Sequence, residues 1–167
     1  MMGLKSGSLA WLVIVVAVVA AVVLSGCLSG GEGGNEQRSA SLVVDFNGPG
    51  GSINPGNVTT WTEVGGVWTS ETQSNGGRTV WIFRNATSGP KVLDLVEACS
   101  SIGGFEVDTK HYVGMGTFIE AIGGVQNERP GRGWQYDVNG QYAGQACDLY
   151  TLNDDDIVTW VFADMPW

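Results

Sequence analysis

From residue 41 onward, short runs of Val, Ile, Thr and aromatic residues alternate with clusters of Gly and Asn, which predicts strands joined by tight turns. The runs fall at 41–46, 58–63, 66–71, 79–84, 105–109, 116–122, 134–138 and 157–162. In the last of them Ile157, Thr159 and Val161 interleave with Val158, Trp160 and Phe162, so apolar groups point both ways and a central strand is expected. Trp134-Gln135-Tyr136-Asp137-Val138 alternates large apolar with polar side chains and runs into Asn139-Gly140, a strong signal for a two-residue hairpin turn. One helix is predicted, over 90–102. Pro90 suits a first helical position, Val92, Leu95, Val96, Cys99 and Ile102 share one face, and Gly103-Gly104 ends it. The pattern implies an α+β domain: a mostly antiparallel sheet packed on one helix.

The first residues follow another rule. Lys5 precedes an unbroken apolar run of 16 residues, Leu9 to Leu24, which stops at Ser25, Gly26 and Cys27. A permanent membrane span wants about 20 apolar residues, so the run is short for one and fits a signal peptide over 1–26. Leu24-Ser25-Gly26-Cys27 resembles the lipobox of lipoproteins, which implies cleavage before Cys27 and lipidation of its thiol. The alternative is an uncleaved N-terminal anchor. Both readings place the domain on the extracytoplasmic face of a cell membrane, and a two-chain lipid would be a stable anchor. Residues 27–40 are dominated by Gly and polar side chains and read as a lipidated Cys followed by a flexible linker, leaving 41–167 as one domain.

Composition narrows the partners. The formal charge is −9, and without Lys5 the remainder holds 7 basic against 17 acidic residues. Nucleic-acid binding needs clustered Lys and Arg to displace counterions, and that class is excluded.

Four stretches then carry a resemblance: Val92-Leu93-Asp94-Leu95, Gly116-Thr117-Phe118-Ile119-Glu120-Ala121-Ile122, Gly133 to Gly140, and Leu152-Asn153-Asp154-Asp155-Asp156-Ile157-Val158-Thr159-Trp160. Their order and spacing over 79–163 resemble the C-terminal domain of the transcobalamin and intrinsic factor family. The resemblance implies a β-grasp-like domain, related to soluble-ligand-binding modules, with cobalamin as one ligand. Family members usually show Gly where Asp155 stands, and residues 47–78 look like an insertion with its own hairpin around Gly65-Gly66. Transcobalamin's large helical domain has no counterpart in these 167 residues.

With Cys27 lipidated, Cys99 and Cys147 remain, an even pair in an oxidising compartment. A disulfide between them would close a loop worth about 4 kcal/mol of chain entropy; two buried thiols are the alternative. His111 is the only histidine and no zinc or nucleophile-elbow motif occurs, so no enzyme and no metal site is expected. Asp154, Asp155 and Asp156 read as a solvated turn rather than a cation loop. Asp94 and Glu97 read as helix-solvating acids. Asn57-Val58-Thr59 and Asn85-Ala86-Thr87 fit the N-glycan acceptor pattern.

Large aromatics serve as core or as flat surfaces against a ligand. Trp81 and Trp160, within continuous apolar strands, are expected in the core; Trp61, Trp68, Trp134 and Tyr136 lie in or beside Gly-rich hairpins and are candidates for a pocket rim, with packing the alternative for each. The expected function is a membrane-anchored, non-catalytic binding module for a small ligand such as a corrinoid or another metabolite. Its contacts are expected from Trp134, Gln135, Tyr136, Asn139 and Tyr142, helped by the Gly114-Met115-Gly116 loop. The alternative function is adhesion or protein–protein assembly in the cell envelope, through edge strands or the 47–78 insertion.

Overall fold

The computed structural model describes residues 36–165. The expected signal peptide, lipidated Cys27 and most of the linker lie outside the described residues. In chain order the elements are β1 (Arg38–Asp45), β2 (Asn57–Val64), β3 (Val67–Ser74), β4 (Val80–Ser88), α1 (Val92–Gly103), β5 (Val107–Tyr112), β6 (Gly116–Ile122), β7 (Val125–Gln126), β8 (Arg132–Val138), β9 (Gln141–Tyr142) and β10 (Ile157–Asp164). All eight expected strands occur. The first begins at Arg38, inside the stretch read as linker, and the two-residue strands β7 and β9 are additions.

Seven strands form one sheet in the order β3-β2-β4-β1-β10-β8-β9, and β5-β6-β7 form a second, antiparallel sheet. The large sheet is mixed. β1 pairs in parallel with β10, Ser41 beside Ile157 and Asp45 beside Val161, and β2 pairs in parallel with β4. Parallel neighbours need long crossovers, and nearly the whole described chain separates β1 from β10.

Alternation decides which face is covered. Ala40, Leu42 and Val44 of β1, Trp81 and Phe83 of β4, Trp134, Tyr136 and Val138 of β8, and Val158, Trp160 and Phe162 of β10 are all buried. Ile157 is exposed while Thr159 and Val161 are half-buried, so β10 is central as expected but covered mainly on one face. Helix α1 lies against β4 and β1 through Val92, Leu95, Val96 and Cys99, and β6 lies against β8. The covered face therefore has two roofs, a helix over one half and a small sheet over the other.

The helix starts two residues later than expected. Asp94 folds back to accept the Lys91 N–H at 2.9 Å, and the Val92 and Leu93 N–H groups donate to the carbonyls of Tyr150 and Cys147. These bonds satisfy first-turn donors that have no partner within the helix. Gly104, at φ 72°, closes the other end by donating to Ser100 O. Both expected hairpin turns form: Gly65-Gly66 joins β2 to β3 with φ 61° and 80°, and Asn139-Gly140 joins β8 to β9 with φ 54° and 77°. Paired positive φ values are what a two-residue turn matched to strand twist requires.

Candidate functional site

The cavity opens between the two sheets. Its floor is β8 and β10, contributing Trp134, Gln135, Tyr136 and Trp160; the opposite wall is Tyr112, Met115 and Thr117 to Ile119. Residues 127–131, Tyr142 and 144–147, with Met165, close its sides, and the volume is about 580 Å³. Trp134 and Tyr136 are only 5% and 7% exposed, yet both line the concavity, because they lie under the small sheet rather than under the helix.

Hydrogen bonds hold these walls in place. The Tyr136 hydroxyl donates to Gln145 O and the Trp134 indole N–H donates to Val125 O, both at 2.8 Å. Asn127 bridges the sheets: its side-chain oxygen accepts the Trp134 N–H at 2.8 Å and its amide donates to Ile119 O at 2.9 Å. Thr117 of β6 gives its N–H and its hydroxyl to the two oxygens of Asp148, each at 2.8 Å. That backbone N–H, more than the hydroxyl or nearby His111, holds the Asp148 carboxyl below the usual carboxylate range against the opposing effect of desolvation. The Tyr136 and Trp160 rings stack with centroids 4.7 Å apart. Trp160 Nε1 is the buried side-chain donor that has no partner among the described residues.

Beside this cavity runs the segment that comparison with other proteins identifies. Residues 91–164 match the family described as Domain of unknown function (DUF4430). The match falls almost entirely within the stretch, 79–163, whose motifs resemble transcobalamin. No curated protein matches the chain in sequence. Among solved structures, a protein of Ruminococcus gnavus ATCC 29149, provisionally described as metal-binding, aligns with a TM-score of 0.40 and 12% identity over 65% of this chain and 97% of that one. Haptocorrin in complex with Cbi aligns with a TM-score of 0.43 and 18% identity, covering 81% of this chain but only 27% of haptocorrin.

The fold brings most of the expected ligand residues together. Trp134, Gln135, Tyr136 and Tyr142 line the cavity, and Met115 faces them from the expected loop. The Gln135 amide donates to Asp164 O at 3.0 Å. Asn139 stands apart from the lining. Its amide donates to Asp156 Oδ1 at 2.7 Å and its oxygen accepts the Ile157 N–H at 2.9 Å, so it serves the turn instead. Asp156 is correspondingly buried, Asp154 accepts the Ser39 N–H at 3.0 Å, and Asp155 has φ 66°. The acidic triplet is thus a hydrogen-bonded connection to β1 and β8 rather than a merely solvated turn.

Two of the four rim candidates take the packing alternative. Trp61 is buried and stacks on Phe83 at 4.3 Å, and Trp68 packs half-buried against the same core, so neither lines the cavity. Trp160 belongs to the core as expected and lines the cavity as well.

The expected Cys99–Cys147 disulfide is absent: both are buried free thiols. Cys147 meets the helix at Leu93, about 9 Å along the axis from Cys99, and its Sγ donates to Thr117 O at 3.1 Å. Burial raises both thiol pKa values, that of Cys147 to about 12. Of the glycan-pattern residues, Asn57 donates its amide to Asn54 O and Pro55 O, whereas Asn85 is exposed at a bulge of β4 with φ 51°.

Sequence reasoning missed Tyr112, Phe118, Asn127, Gln145 and Met165, which line the cavity from other elements. Local pattern carries no signal for them, since only the packing of β6 over β8 makes them neighbours of Trp134.

Proposed function

We propose that this chain is a membrane-anchored, extracytoplasmic binding module that takes a small ligand between its two sheets. The observation that carries the reading is the convergence of Trp134, Tyr136, Tyr142 and Met115 on one concavity of about 580 Å³. That volume lies within the range of small-molecule sites, and an aromatic lining with a few polar groups is typical of them. Five strands of the large sheet, in the order β4-β1-β10-β8-β9 with α1 following β4, support a β-grasp-like arrangement.

Binding without catalysis fits the chemistry of the lining. Cys147 is the lining thiol, and a pKa near 12 keeps it protonated and a poor nucleophile at neutral pH. The anchor is Cys27, whose lipobox-like context supports lipidation.

Isothermal titration of the full-length chain against corrinoids and a panel of small metabolites tests the reading. Micromolar or tighter binding of one compound, weakened by Tyr142→Ala, is expected. No heat from any member would count against it. Incorporation of a lipid label by wild type but not by Cys27→Ser tests the anchor.

A second reading, assembly with another envelope protein, is favoured by β3, whose outer edge pairs with no strand among the described residues. Crosslinking on intact cells separates the two readings, since an assembly module yields a reproducible partner that depends on β3.

A further inference from the structure

Resting on the reading of the cavity as a ligand site, we infer that its occupant carries a quaternary ammonium group on an apolar body. Phe118, Trp134, Tyr136, Tyr142 and Trp160 all line the space. The face of an aromatic ring is electron-rich, and several such rings around one cavity solvate a cation that water has released. A quaternary ammonium suits them because it has no N–H to satisfy.

The charges around the cavity point the same way. Its ionic lining is Glu128 and Arg129, and the Arg129 guanidinium is held by Glu120 at 3.0 Å. Glu120 neutralises Arg129, which leaves Glu128 as the uncompensated charge of the lining itself. Glu128 is exposed at the rim and takes part in none of the ion pairs among the described residues. The chain as a whole, at −9, attracts cations and repels anions. One lining ring already holds a cation: Lys110 Nζ lies 5.1 Å from the Tyr112 centroid.

The test uses two ligands of one shape, 3-hydroxyphenyltrimethylammonium and 3-tert-butylphenol, which differ in a charged nitrogen against a neutral carbon. Each is titrated into the full-length chain in detergent and into matched detergent alone. The cation is expected to bind about tenfold more tightly than its neutral isostere. Tyr142, 67% exposed, can be changed without disturbing the core. Tyr142→Leu should weaken the cation about threefold while sparing the phenol. Glu128→Gln should weaken it at low ionic strength and much less in concentrated salt. Equal affinities, or a preference for the phenol, would overturn the inference and leave the cavity standing as a neutral-ligand site. A preference untouched by both substitutions would place the cation elsewhere and overturn it too. Binding of neither ligand would overturn the inference, while the metabolite panel decides the reading beneath it.

Discussion

The hydroxyl of Tyr136, on the floor of the cavity, donates a 2.8 Å hydrogen bond to the backbone carbonyl of Gln145, on its rim. This bond ties a strand to a segment that has no regular structure of its own between Ala143 and Cys147. Tyr136→Phe keeps the ring and its stacking on Trp160 but strands that carbonyl. A loss of about 1–2 kcal/mol is expected in urea denaturation. Amide exchange should accelerate around Gln145 and remain unchanged in β1, and uniform acceleration across the sheet would show that the bond has no local role.

Alkaline pH should destabilise the domain through its buried thiols and Tyr136. Desolvation raises the pKa values of Cys99, Cys147 and Tyr136 in the folded state. Unfolded thiols ionise near pH 8.5 and unfolded tyrosine near 10. The unfolded chain therefore releases protons that the folded chain retains, and stability falls as pH rises from about 8.5 toward 12. Urea midpoints under reducing conditions should drop between pH 7.5 and 10. The drop should shrink in Cys99→Ala/Cys147→Ala, and an identical drop in that variant would mean the thiols do not contribute.

Gly123 has no room for a side chain. A Cβ there would lie 2.4 Å from the Trp81 ring, and the residue has φ 55°. Trp81 is fully buried, so the clash cannot be relieved toward solvent. Gly123→Ala should cost about 2–4 kcal/mol, combining overpacking with left-handed backbone strain. Gly124→Ala, where no atom crowds the added Cβ, should cost less. Equal losses in thermal melts would mean that Trp81 moves aside.

Asp155 occupies a left-handed position, φ 66°, and its N–H donates to Ser39 O at 2.8 Å. Asp155→Gly relieves the strain at some cost in unfolded-chain entropy and should raise stability by up to about 1 kcal/mol. Asp155→Val should lower it by about 1–2 kcal/mol. A loss on the Gly substitution would assign a stabilising role to the Asp155 carboxylate.

The sequence made some of this domain easy to read and hid the rest for a physical reason. Asn139-Gly140 and Gly65-Gly66 were legible because a two-residue turn makes a local demand for positive φ. Helix α1 was legible because Val92, Leu95, Val96 and Cys99 repeat at helical spacing. Strand partners leave no such trace: nothing near Ser41 says that it will lie in parallel beside Ile157. The same gap explains the tryptophans. Trp61 and Trp134 both sit in alternating strands close to Gly, and only sheet order puts one against Phe83 and the other under β6. Counting cysteines gave an even pair, but the direction of Cys147 Sγ, toward Thr117 O, depends on a contact 30 residues away.

The parallel alignment of β1 with β10 also sets a direction. The chain comes into the sheet at Arg38, close to where β10 begins, whereas Trp134 pairs with Phe162, five residues and about 17 Å further along β10. Trp134, on the floor of the cavity, therefore lies toward the end of the sheet away from Arg38.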